Sequence, residues 1–273
     1  LSAWRCPVCA EALALEGRSF RCSAKHCFDL AKEGYINLLL ANQKKSLQPG
    51  DDKTQLQGRR RFLQQGFYQP LLDELYKTLT VTEGMALADI GCGEGYYSQG
   101  VATRAKADHL DLQLYGIDIA KDGVRLAAKE AAKHSAPGLP AIQYGVASSF
   151  NLPWQDASFD RVFRVFAPSK DQEVARVLHD DGLFIVVSPG PKHLLELREL
   201  LYDSVVEHAE PAVPEGFELQ QSHSIGFTMS LENGSQLEDL LLMTPFNWRG
   251  QQEIKQTLSS CQADFYIQVY KKC

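Results

Sequence analysis

The stretch ADIGCGEGYYSQ, residues 88–99, decides how this 273-residue chain is read. An apolar run, ALADIG at 86–91, leads into it and a segment of helical character leaves it, so its glycines fall in a turn between a strand and a helix. In a doubly wound sheet that turn is where a ligand sits. Outward from the loop the chain keeps alternating. Strands are expected at LQLYGIDI (112–119), AIQYGVAS (141–148), FDRVFRVF (159–166) and LFIVVSPG (183–190), with helices at 121–134 and 169–180. Repeated β-α units of this length imply an α/β fold with a parallel, doubly wound sheet. The last third adds a helix (191–208), a strand (217–231), a helix from 234 and a final strand (264–272).

Gly91, Gly93 and Gly95 make G-x-G-x-G, whereas the dinucleotide fingerprint is G-x-G-x-x-G and here Tyr96 stands at its third glycine. Asp89 precedes the loop, and Asp118 ends the second strand 23 residues after Gly95, where a carboxylate accepts hydrogen bonds from a ribose diol. S-adenosylmethionine carries an adenosine but no pyrophosphate, so no helix N-terminus need hold one. It still needs backbone at close approach, which glycine permits. The loop therefore favours S-adenosylmethionine over a nicotinamide dinucleotide.

A second feature lies upstream. CPVCAEALALEGRSFRCSAKHCFD, residues 6–29, holds four of the seven cysteines. Its spacing is Cys6-x2-Cys9, twelve residues, then Cys22-x3-His26, which can aim four donors at one ion. The residues between read as two short strands around a turn at Glu16-Gly17. Soft thiolates with an imidazole favour zinc, and four protein ligands make the site structural. Cys27 competes with His26 for the fourth position, and spacing alone leaves both open. A redox pair at a helix start or a disulfide fits less well. The first residues lack the apolar core of a secretory signal, so the thiols are expected in a reducing, cytoplasmic setting.

Composition sets outer bounds. Hydrophobic residues at 44% and charged residues at 23% suit a soluble globular protein, and no apolar run reaches the ~18 residues of a membrane span. The net charge of −6 hides a split: residues 1–70 carry 11 Lys and Arg against six Asp and Glu, while 71–273 carry 17 against 28. A basic head on an acidic body points to an anionic partner for the head. Between them, 44–55 (KKSLQPGDDKTQ) reads as a flexible linker. Two helices follow, broken near Gln65–Gln69 by Gly66 and Pro70. The division expected is 1–43 (the zinc-binding head), 44–84 (linker and helices) and 85–273 (the domain that carries the glycine loop).

The motifs occur in an order that carries a resemblance. GVASSFNLPWQDASFDRVF (145–163) and ARVLHDDGLFIVV (175–187) resemble the adenine-side loop and the helix–turn–strand of class I, Rossmann-like methyltransferases. Adding the Cys3His cluster, FDLAKEGYINLL (28–39), RRRFLQQGFYQPL (59–71), FAPSK (166–170), SPGPKHLLELR (188–198) and MTPFNW (243–248), the whole chain resembles the RlmA family of large-subunit (23S) ribosomal RNA guanine-N1 methyltransferases. The resemblance implies methyl transfer from S-adenosylmethionine to N1 of one guanine in an RNA hairpin loop, a zinc domain that helps bind RNA, and a homodimer. It implies Cys6, Cys9, Cys22 and His26 as zinc ligands, leaving Cys27 outside. Tyr68, Gly93, Glu94 and His193 match cofactor-contacting positions, beside Gly91 of the loop and Asp118 at the end of the second strand.

Guanine N1 carries a proton and lies on the Watson–Crick edge, so its methylation requires an unpaired base and loss of that proton. FAPSK falls after the fourth strand, where a substrate base is expected to arrive, and lacks the N-P-P-Y of amino-methylating enzymes. The sequence names no general base. Lys44, Lys45, Arg59, Arg60 and Arg61 are candidate phosphate contacts. Two rival classes are a small-molecule methyltransferase with an accessory zinc ribbon and a non-catalytic RNA-binding factor on the same fold; the basic head opposes the first and the intact glycine loop the second.

Overall fold

The computed structural model describes residues 2–43, 50, 52–134, 142–244 and 258–273. The head is a three-stranded antiparallel sheet, β1 (Ala14–Glu16), β2 (Ser19–Arg21) and β3 (Cys27–Asp29), in that order. The hairpin turns at the expected dipeptide: Gly17 takes φ 64°, a conformation that costs glycine little. Leu13 and Phe20, each 1% exposed, fill the interior of the head. The chain then leaves it as β4 (Ile36–Asn37) and joins a much larger sheet.

Residues 44–49 and 51 of the expected linker lie outside the described residues. Its end is helical: α1 (Lys53–Gln64) starts on a capping box, with Gln55 N–H donating to the Asp52 carboxylate at 2.8 Å and Asp52 N–H donating to Gln55 Oε1 at 2.9 Å. The D-x-x-Q signal thus begins the helix three residues inside the stretch expected to be flexible. The break comes as expected, with Gly66 at φ 84°, and α2 (Gln69–Leu79) takes Pro70 in its first turn, where no N–H is needed.

The main sheet follows with β5 (Ala86–Ile90), α3 (Tyr96–Ala107), β6 (Gln113–Asp118), α4 (Lys121–Ala131), β7 (Ile142–Val146), β8 (Phe159–Val165), α5 (Asp171–Val177) and β9 (Leu178–Pro189). It closes with α6 (Leu195–Leu201), β10 (Phe217–Ser230), α7 (Gly234–Met243) and β11 (Ser260–Lys272). The strand order is β10-β11-β9-β8-β5-β6-β7-β4, parallel from β9 to β4, with β11 antiparallel to both its neighbours. Successive strands run outward from β5 on one side and from β8 on the other. The order therefore reverses between β5 and β8, and the crevice beyond their carboxyl ends is the ligand-binding position of such sheets.

Two elements differ from expectation. The helix expected over 169–180 stops at Val177, because Leu178 is already extended and pairs with Phe159. The helix expected over 191–208 is confined to 195–201. Leu194 enters it from the left-handed region at φ 52°, and β-branched Val205 and Val206 followed by Pro211 do not sustain it.

Apolar residues of α1, α2, α3, α4, α6 and α7 cover one sheet face. The other face is covered by α5 and by the head, whose Trp4, Cys6, Leu13 and Phe20 belong to one cluster with Ala88, Ile117, Val162 and Phe184 of the sheet. The connection 147–158 between β7 and β8 carries no helix, and the head fills its place. Gly145 makes this fit possible: a Cβ there would lie 2.8 Å from the Trp4 ring. Among the described residues no helix is long and apolar enough to cross a membrane.

Candidate active site and metal centre

The four expected metal ligands converge. Cys6, Cys9, Cys22 and His26 place their donor atoms within 4.8 Å of one another. His26 Nδ1 lies 3.6 Å from Cys6 Sγ and 3.3 Å from Cys22 Sγ, and Cys9 Sγ lies 3.6 Å from Cys22 Sγ. A zinc tetrahedron with bonds of about 2.3 Å to sulfur and about 2.0 Å to nitrogen has edges of roughly 3.5–3.8 Å, so the donor set fits the ion. Each knuckle closes through a backbone bond to its first cysteine: Ala10 N–H donates to Cys6 O and Lys25 N–H to Cys22 O, both at 2.9 Å. Cys27 is exposed and turned away, its sulfur 3.9 Å from Asp29 Oδ1. The choice that spacing left open falls to His26.

At the carboxyl ends of β5, β6, β8 and β9 lies a cavity of about 900 Å³. Tyr68, Gly91, Gly93, Glu94, Asp118 and His193 all line it. The loop is built for close approach. Gly91, Gly93 and Gly95 have φ of 77°, 54° and 86°, and a Cβ on Gly95 would meet Tyr144 Oη at 2.8 Å. Gly91 and Cys92 N–H both donate to Ile117 O, tying the loop to the end of β6. Asp118 is fixed by the same loop, accepting from Gly93 N–H at 3.0 Å and from Ala120 N–H at 2.7 Å. Two polar atoms on the wall, Tyr96 Oη and Ser188 Oγ, are buried with no partner among the described residues. A glycine cradle, a fixed carboxylate and unspent polar atoms suit an adenosine-bearing polar ligand such as S-adenosylmethionine.

Burial sets the protonation of the site. Glu94, 5% exposed, is pushed up to about 7 by desolvation, against the pull of the Arg60 and Arg59 guanidinium groups. Beneath the loop Asp89, 2% exposed, is pushed up to about 8 by burial, and its Oδ2 has no hydrogen-bond partner among the described residues. Burial lowers His193 to about 3, so its imidazole is neutral at pH 7. Its Nδ1 accepts from Asp264 N–H at 3.3 Å, which puts the ring proton on Nε2. The ring stands among Phe265 (4.8 Å between centroids), Phe166 (5.7 Å) and Tyr68 (6.4 Å).

The cationic candidates separate. Arg60 pairs with Glu130 of α4 at 2.8 Å, and Arg61 grips both carboxylate oxygens of Asp239 of α7 at 3.0 Å. Both tie α1 to its neighbours, and the Arg61 side chain stays more than half exposed. Arg59 lines the cavity beside Gly93. Lys44 and Lys45 lie outside the described residues. Phe166, which opens the FAPSK segment expected to meet the substrate base, lines the cavity too, and sequence reasoning did not single out three other lining residues, His208, Phe150 and Arg164. Arg164 lies with its guanidinium 5.2 Å from the Phe184 ring centroid and donates to Ser169 Oγ. Its position at the carboxyl end of β8 was the available signal.

Residues 4–47 match the zinc-ribbon family described as RlmA, N-terminal, and residues 81–258 match the family described as a methyltransferase domain. The chain is 30% identical over 260 residues to a Bacillus subtilis protein named "Putative 23S rRNA (guanine-N(1)-)-methyltransferase YxjB", covering 90% of this chain and 87% of that one. It is 30% identical over 254 residues to the 23S rRNA (guanine(748)-N(1))-methyltransferase of Streptomyces fradiae, covering 89% and 85%. Among solved structures, YcgJ of Bacillus subtilis aligns with a TM-score of 0.46 at 18% identity, over 74% of this chain and 98% of that one. On its zinc ribbon, its methyltransferase domain and these nearly full-length relatives, the chain belongs to the family of 23S ribosomal RNA guanine-N1 methyltransferases.

Proposed function

We propose that this protein methylates N1 of one guanine in a hairpin loop of large-subunit ribosomal RNA. The observation that carries the reading is the gathering of Gly91, Gly93, Glu94, Asp118, Tyr68 and His193 around one cavity, in a chain whose relatives bear that name over most of their length. When bound, S-adenosylmethionine supplies a methyl group already activated by its sulfonium. The protein's task is then to position and to manage one proton. Asp118 holds a ribose, the glycine loop admits the methionine portion, and Tyr68 and Glu94 border it. Neutral His193 offers an Nε2–H donor at the wall, where it can hold a carbonyl or carboxylate oxygen. Tyr68 and Leu194, both buried, give the cavity an apolar side.

The same reading makes 1–43 an RNA-recognising zinc domain, 44–84 linker and helices, and 85–273 the catalytic domain of a cytoplasmic homodimer. Light scattering of the purified protein tests the dimer. The central test incubates the protein with labelled S-adenosylmethionine and unmodified large-subunit RNA, then maps the modified base. Label at guanine N1 is the expected result. Label on adenine or ribose, or none in RNA, overturns it.

A further inference from the structure

Among the described phenylalanines only Phe150 and Phe166 are exposed, and both line the same cavity. Phe166 is the more informative. Its φ is 57°, a left-handed conformation in which a bulky non-glycine residue is strained and which persists only where the surroundings enforce it. Here they do. Phe166 N–H donates to Val187 O of β9 at 3.1 Å. The next residue, Ala167, lies against the glycine loop so closely that a Cβ on Gly91 would come within 2.3 Å of its own Cβ. The segment is thus clamped between β9 and the loop, at the point where strand order reverses.

What the clamp presents is an aromatic ring that the fold does not bury. The Phe166 side chain leaves its residue 44% exposed, although it is backed by His193, 5.7 Å away at 33°, and by Phe265, 5.7 Å away at 51°. Phe265 is fully buried and His193 is held by the Asp264 backbone, so the backing is rigid. A ring that served the core would be covered, and one without a role would not be held in a strained backbone. A flat apolar surface, fixed beside a glycine loop at the mouth of a cavity, suits a flat aromatic ligand.

We infer that Phe166 is the platform on which the target purine stacks once it has left its RNA stack. The inference rests on the methyl-transfer reading and adds to it the residue that holds the base. Stacking of this kind tolerates exchange among aromatic rings and fails with an aliphatic chain of similar volume.

The test uses the full chain and its Phe166→Tyr, Phe166→Leu and Phe166→Ala variants, with circular dichroism and titration of S-adenosylmethionine to establish that each folds and keeps its cofactor site. Single-turnover methylation of an RNA hairpin is measured, together with the fluorescence of a hairpin carrying 2-aminopurine at the target position. Phe166→Tyr is expected to keep most of the rate, whereas Phe166→Leu and Phe166→Ala lose about 10- to 100-fold at subsaturating RNA. S-adenosylmethionine affinity should change less than threefold. The wild type and the Tyr variant should quench 2-aminopurine, and the Leu and Ala variants should not. A Leu variant as fast as wild type, or quenching unchanged in the Ala variant, overturns the platform while leaving methyl transfer intact. A wild-type protein that quenches the probe but leaves guanine N1 unmethylated overturns the methyl-transfer reading and leaves Phe166 as a base-binding surface.

Discussion

Trp4 of the zinc head and Trp154 of the β7–β8 connection stack with ring centroids 6.1 Å apart, and their backbones form an antiparallel bridge. Trp4 also meets Tyr115 edge-on at 5.4 Å, and its Nε1–H donates to Gln143 at 3.0 Å. The head is therefore welded to the sheet by one indole that satisfies both its apolar body and its polar atom. Trp4→Ala should cost about 3–5 kcal/mol, the usual range for a buried aromatic. Chemical denaturation followed by fluorescence of the remaining tryptophans measures it. A loss under 1 kcal/mol would mean that the head is only loosely docked.

Removing the metal should reach beyond the head. The four ligands have no other cross-link in their place, and Cys6 and Cys22 belong to the apolar cluster that covers the sheet. Chelation, or Cys9→Ser, should release one zinc per chain and lower the melting temperature of the whole protein, because head and sheet share that cluster. Cys27→Ser should keep its zinc and His26→Ala should lose it, as read by elemental analysis. The opposite pattern would make Cys27 the fourth ligand.

The pH dependence of stability should contain two opposed contributions. His193 has its folded pKa lowered to about 3 from an ordinary 6.5, so its contribution is complete above about 6.5 and is lost as the pH falls toward 3. Asp89 and Glu94 have theirs raised, to about 8 and about 7, so their contribution is complete near pH 4 and is lost as the pH rises through those values. His193→Gln should flatten the acid limb of a stability–pH curve. Asp89→Asn should remove a fall in stability with rising pH between about pH 4 and pH 8, of up to about 1.4 kcal/mol per pH unit. Denaturant titrations from pH 4.5 to 8.5 resolve the two, and parallel curves for wild type and variants would refute the assignment.

Much of this architecture was legible in the sequence because local signals and burial agreed. The β-α alternation, the loop before α3 and the Cys/His spacing each follow from chemistry within a few residues. The misread elements depend on contacts distant in sequence. Leu178 becomes strand because Phe159 of the preceding strand is there to pair with it. Arg60 and Arg61 look like a basic patch until Glu130 and Asp239, 70 and 178 residues away, neutralise them. The place of FAPSK beyond the fourth strand was legible, but the left-handed backbone of Phe166 was not, since it has no signature in composition or period.

Gly91 offers a test of how tightly the cofactor loop and the substrate loop are joined. Gly91→Ala adds two penalties: a left-handed φ of 77° on an L-residue, about 1–2 kcal/mol, and a Cβ placed 2.3 Å from that of Ala167. The collision is with a side chain that can be removed, whereas the backbone strain is not. Ala167→Gly in the Gly91→Ala background should therefore recover part of the lost S-adenosylmethionine affinity and stability, leaving a residue near the strain alone. A double-mutant cycle read by calorimetric titration gives the coupling, expected at or above about 1 kcal/mol. Strict additivity would show that the two loops are not in contact at this point, and the clamp that holds Phe166 would then have to be sought in its bond to Val187.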